Sequence, residues 1–256
     1  MDALLQTGQV YPATVIAWCT LALLLGGWVK GVMGVGLPMI AVPLMTFGLP
    51  PYVAAALVVL PVFPANFIQL RAGGSLRGKV ARFWPLTLGI VVGTFAGAPV
   101  LLEADQQMLQ WLVAAIVGCY ALQRMSRYAL TIKPAAEKPA GLLFGLFAGG
   151  IGGLTMLIGP LITLYMAALK LPRDVFVGSI ALVYLVTTMS IAMALATYEQ
   201  LSRPLLIASA LACIPATAGV MAGAWCRRFV SQQFFEKLLT GLLLFISVAM
   251  LYRSLY

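Results

Sequence analysis

Apolar residues run along this chain in long unbroken stretches. Eight can be drawn, at 13–48, 51–70, 83–102, 107–124, 140–169, 174–197, 204–226 and 235–252. Most have the roughly 20 residues that a helix needs to cross a bilayer, and they lack the ~10-residue alternation of an outer-membrane barrel. The first and fifth, of about 36 and 30 residues, are too long for one ordinary span. Glycines interrupt both, as Gly31-Val-Met-Gly34-Val-Gly36 and Gly149-Gly-Ile-Gly-Gly153. Each glycine costs a helix about 1 kcal/mol relative to alanine, so each cluster is expected to break its helix.

One polar linker, Arg124 to Pro139, divides the chain nearly in half and prompts a search for a repeat. Shifted by 117 residues, Gly36-Leu-Pro-Met39 lies over Gly153-Leu-Thr-Met156, and Pro43-Leu-Met-Thr46 over Pro160-Leu-Ile-Thr163. Shifted by 126, Gly93-x-x-x-Gly97 lies over Gly219-x-x-x-Gly223, and Gln106-Gln107 over Gln232-Gln233. The chain therefore reads as a first membrane repeat at 1–128, a cytoplasmic linker at 129–139 and a second repeat at 140–256.

Charge gives the orientation. In the first repeat the loop at 71–82 is basic and the loop with Glu103 and Asp105 is acidic; in the second, the loop with Glu199 and Arg203 comes first and Arg227, Arg228 and Lys237 follow. Lys and Arg favour the cytoplasmic side, so the halves face opposite ways, and each needs an odd number of crossings. The expected fold is an all-α membrane protein of two inverted-topology repeats. Each repeat is a glycine-broken re-entrant hairpin followed by three transmembrane helices. With both termini periplasmic, the stretches 71–82, 124–138, 170–173 and 227–237 place 13 of the 16 basic residues in the cytoplasm. Eight full spans would put 227–237 outside.

Composition agrees: 62% of residues are hydrophobic and 9% charged, against about 25% charged in a soluble domain. The net charge of +9 is thus topological, and no nucleic-acid partner is expected. The first residues, Met1 to Gln9, carry no Lys or Arg, so the first apolar run is expected to be retained rather than cleaved as a signal peptide. Cys19, Cys119, Cys213 and Cys226 lack metal-ligand spacing and read as packing residues. With no histidine and no mid-span carboxylate, neither a metal site, a cofactor, a buried proton relay nor an enzyme is expected. Gly73-Gly-Ser-Leu-Arg-Gly-Lys79 approaches a phosphate-binding loop, but Val80 replaces the magnesium-binding hydroxyl, and it reads as a basic cytoplasmic loop.

Inverted repeats with broken helices mark secondary transporters, whose site lies where half-helix ends meet. Helix N-termini carry partial positive charge, which suits an anion. The candidate substrate-binding residues are Gly34, Gly36 and Pro38 at the first break, and Gly150, Gly152, Gly153 and Thr155 at the second. The competing reading is that these glycines only permit close helix packing. Lys30 is a cation inside an apolar stretch with no acidic partner in sight; it either meets an anionic substrate or snorkels to an interface. Asn66 and Thr188 occupy matching places in the two repeats and can donate to substrate oxygens or bridge helices. Export of an anion needs no buried acid, since an inside-negative potential supplies about 2.3 kcal/mol per charge per 100 mV. Coupling to sodium through backbone carbonyls stays open. The expected partners are a small anionic substrate and membrane lipid, with a homodimer allowed.

Val29-Lys-Gly-Val-Met-Gly-Val-Gly-Leu-Pro-Met-Ile-Ala-Val-Pro-Leu44 resembles the opening motif of the TauE/SafE family of sulfite and organosulfonate exporters, and so does the second copy, Gly149 to Leu161. Length, segment count and duplication are similar to that family along nearly the whole chain. The family often shows Gly-x-Gly-Gly-Gly, where here Leu37 and Pro38 follow Gly36. The resemblance implies an inner-membrane exporter of a small sulfur oxyanion, such as sulfite or a two- or three-carbon organosulfonate. The alternatives are an importer or channel for an inorganic anion, or a membrane subunit of a larger transport complex.

Overall fold

The computed structural model describes residues 12–34, 36–71, 73–125, 131–152, 158–226, 229 and 232–255. Among these there is no strand, and ten α-helices follow one another: α1 Ala13–Met33, α2 Leu37–Met45, α3 Pro51–Gln69, α4 Leu76–Glu103, α5 Gln106–Met125, α6 Glu137–Gly152, α7 Gly159–Ala168, α8 Arg173–Thr197, α9 Arg203–Cys226 and α10 Gln232–Leu255. Four of them are long and apolar enough to cross a membrane: α1, α4, α8 and α9.

The first long apolar stretch is broken where the glycines sit. Gly34 and Gly36 have φ of 85° and 115°, a left-handed backbone that a side chain would strain. Gly34 caps α1 through its N–H to Lys30 O, at 2.7 Å. Pro38 stands in the first turn of α2, where its missing N–H costs nothing. The chain then turns back. Leu37 and Ala41 pack on Gly26, and Gly48 reaches Val15. Trp18 Nε1 ties the far end of α2 to the start of α1 by donating to Leu44 O at 2.6 Å. The α6–α7 pair closes in the same manner: Tyr165 Oη near the end of α7 donates to Glu137 O at 2.9 Å, and Ile132 N donates to Ala168 O at 3.1 Å.

Two of the expected boundaries move. The basic stretch 73–79 is not all loop: Ser75 accepts from Gly78 N and caps α4, which starts at Leu76 and carries Arg77, Lys79 and Arg82. Lys79 is buried and donates to Leu70 O, a carbonyl beyond the end of α3. Within the stretch read as linker, a 3-10 turn at Pro134–Ala136 leads into α6 at Glu137.

The halves interleave. α1 packs along α9, and α6 along α4; α5 packs on α10; α3 and α8 touch each other, and each also touches the other half's fourth helix, α9 and α4 respectively. Exchanging α1–α5 for α6–α10 leaves these principal contacts unchanged. Glycines make the two closest seams. A Cβ on Gly27 or Gly31 would strike the backbone of Ala216, Val220 or Ala224 on α9, and one on Gly145 or Gly149 would strike Leu86, Ile90 or Thr94 on α4. Large apolar side chains, among them Ile207, Leu211 and Ile214 of α9 and Trp84, Leu88 and Val92 of α4, stay exposed on the outer faces, as lipid contact requires. Of the cysteines, Cys19 is buried in a packing role, but Cys119 is exposed.

Proline inside α3 is accommodated across helices. Pro61 has no N–H to give Leu57 O. Ser209 Oγ of α9 donates to that carbonyl at 3.0 Å and accepts from Leu60 N at 3.2 Å.

Candidate functional site

Lys30 lies on the last turn of α1, just before the break, and is only 4% exposed. Its ammonium does not snorkel out to solvent. It donates to Asn66 Oδ1 at 2.8 Å, to Gln69 Oε1 at 3.4 Å and to Gly34 O at 3.5 Å. Asn66 and Gln69 share a face of α3, three residues apart. Asn66 is itself anchored by Nδ2 donating to Val62 O at 2.9 Å, which aims its oxygen at the ammonium. From the other half, the Tyr184 ring stands 6.0 Å from Lys30 Nζ. Tyr184 is near the middle of the 25 residues of α8, so the ammonium sits at mid-depth of that helix.

The ionic balance is the unusual feature. A buried ammonium ordinarily has a carboxylate partner, because desolvation costs several kcal/mol per ion. Here all three ammonium contacts are neutral carbonyl oxygens. The one ion pair among the described residues, Arg82 with Glu137, lies elsewhere, joining α4 to the start of α6 at 2.5 and 2.9 Å. Among the described residues the ammonium therefore meets no negative charge, and it lies next to a helix break against an aromatic ring.

The expected site residues divide. Lys30, Gly34 and Asn66 meet directly, while Gly36 and Pro38 are buried at the start of α2 just beyond them. Gly150 does not lie at a break: α6 continues through it to Gly152, and its backbone packs against Gly93 and Gly97 of α4. Gly153 and Thr155 lie outside the described residues. Thr188 is buried, and its hydroxyl donates to Tyr184 O at 2.7 Å, so it braces its own helix. Thr94, Ser179 and Thr187 have buried hydroxyls without a partner among the described residues. Gln69 and Tyr184 were not among the expected site residues. Gln69 had a signal, since it lies one turn from Asn66; Tyr184 had none, because its approach to Lys30 joins positions 154 residues apart.

A profile described as Sulfite exporter TauE/SafE matches residues 19–250, a span that includes α2 to α9 and the Lys30 cluster. The chain belongs to the TauE/SafE family. This family assignment and the apolar helices make it a multi-pass membrane transporter. No curated protein and no solved structure matches the chain significantly. Among the described residues of this TauE/SafE protein, no cluster of three or more His, Cys, Asp or Glu side chains could hold a metal ion.

Proposed function

We propose that this protein is a secondary transporter that exports a small sulfur-containing anion, such as sulfite or a two- or three-carbon organosulfonate, across the inner membrane, with Lys30 as the anion-binding group. The observation that carries the reading is the buried Lys30 ammonium, whose contacts are all neutral oxygens. Such a charge is costly until an anion arrives, and the family supplies the sulfur oxyanion as the class of anion.

The architecture is two inverted repeats, each with a re-entrant hairpin and three spans, both termini being periplasmic. The crosswise packing of the halves and the return of α2 along α1 support it. The second break, with Gly152, Gly153 and Thr155, would approach the site from the opposite half. The exported charge moves down the inside-negative potential, which contributes about 2.3 kcal/mol per charge per 100 mV.

The test is efflux of labelled sulfite, at mildly acidic pH where it is mostly singly charged hydrogensulfite, and of labelled ethanesulfonate from proteoliposomes under an imposed potential, with the native chain and Lys30→Met. Potential-driven efflux that Lys30→Met abolishes is the expected result. Efflux that survives the substitution would move the site away from Lys30, and no efflux of either anion would end the reading as an autonomous exporter.

A further inference from the structure

Resting on that reading of Lys30, we propose that the site selects its anion by charge number: it takes singly charged oxyanions, such as alkylsulfonates, and rejects doubly charged ones of the same shape. One ammonium, with no second cation and no acid in contact among the described residues, is neutralised by one negative charge. A dianion would leave one negative charge buried in place of one positive charge, so binding would replace one desolvation penalty with another. The contacting groups add no second charge: the Asn66 and Gln69 amides, whose oxygens face the ammonium, can offer an anion only neutral N–H donors, one N–H of Asn66 being held by Val62 O, and the remaining neighbours are Gly34 O and the Tyr184 ring. The negative face of that ring favours the ammonium and repels surplus negative charge.

The three ammonium contacts also indicate how an anion enters. Asn66 holds the short one at 2.8 Å, and the contacts to Gln69 and Gly34, at 3.4 and 3.5 Å, are weak. An entering oxyanion replaces these two and leaves Asn66 in place. Asn66 thus positions the ammonium, while Gln69 sets how much positive charge the anion meets.

Methanesulfonate and sulfate make the test, because a methyl group in place of one oxygen changes charge with little change in size. Equilibrium exchange is measured in proteoliposomes with no imposed potential, so that the second charge on sulfate gains no driving force. Methanesulfonate is expected to exchange roughly tenfold or more faster than sulfate. Gln69→Lys, which adds a second cation beside the first, is expected to narrow or invert that ratio. Sulfate exchanging as fast as methanesulfonate in the native protein would overturn charge selection while leaving anion transport intact. Exchange of neither anion would overturn the exporter reading and this inference with it. The native-protein comparison decides the matter even if Gln69→Lys does not fold.

Discussion

A polar group inside an apolar bundle must find a partner, and Ser209 and Lys30 meet that demand in opposite ways. Ser209 is fully satisfied: it fills the gap that Pro61 opens in α3, donating to Leu57 O and accepting from Leu60 N. Ser209→Ala is expected to cost about 1–2 kcal/mol, because a buried carbonyl loses its donor. The check is thermal unfolding in detergent, repeated in a Pro61→Ala background. There residue 61 again has an N–H for Leu57 O, and the cost should shrink. Lys30 is satisfied only in its hydrogen bonds and not in its charge, which is why transport and not stability is its expected readout. Gly34 belongs with it. At φ of 85° an alanine is strained by about 1–2 kcal/mol, at the residue whose backbone N–H caps α1 on Lys30 O. Gly34→Ala is expected to slow efflux more than it lowers the unfolding temperature, since the strain falls on the segment that carries the site.

Glycine does two jobs in these helices, and the sequence separates them only in part. Gly89, Gly93 and Gly97 of α4 line the same seam as Gly145 and Gly149 of α6, and Gly27 and Gly31 of α1 the same seam as Gly219 and Gly223 of α9. Their four-residue spacing keeps each set on one helix face, so it marks packing. The pair Gly34 and Gly36, two apart, cannot share a helix face and marks a break. By that criterion Gly149 was legible as a packing residue but Gly150 was not, and the density of glycine from 149 to 153 pointed to a break that α6 does not show through Gly152. The break between α1 and α2 was legible because its glycines, its proline and the excess length of the stretch agree. The start of α4 was not, because Arg77, Lys79 and Arg82 disguise a helix whose cap is Ser75. The packing role has a sharp test. A Cβ on Gly93 would come within 2.8 Å of Gly150 N, and the rigid backbone there has no room to move. Gly93→Val is expected to abolish the folded, monodisperse protein in detergent. Gly241 of α10 has open space around it, so Gly241→Ala is expected to keep stability or raise it by up to about 1 kcal/mol, read as an unchanged or higher unfolding temperature.

At the scale of the whole molecule, the interleaved packing and the charge pattern constrain the same unknown, which is the orientation of the two halves. Ile132 bonds to Ala168, and Tyr165 to Glu137, so the chain leaves the α6–α7 hairpin at the level where it entered. If that level is a membrane surface, Lys138 and Lys170 lie on one side, and Glu199, at the far end of α8, lies on the other. All three are exposed and accept cysteine at little cost. In a background without the four native cysteines, Lys138→Cys and Lys170→Cys are expected to resist an impermeant thiol reagent in spheroplasts and to react after permeabilisation. Glu199→Cys is expected to react from outside. Labelling of Lys138→Cys and Lys170→Cys from opposite sides would mean that the hairpin crosses the membrane and that the halves share one orientation. The consequence reaches the site. Inverted halves bring the α1–α2 and α6–α7 breaks toward a common depth from opposite faces, and an ammonium at mid-depth of α8 can then meet an anion arriving from either side. Parallel halves would bring both breaks in from one face and leave Lys30 without a path to the other.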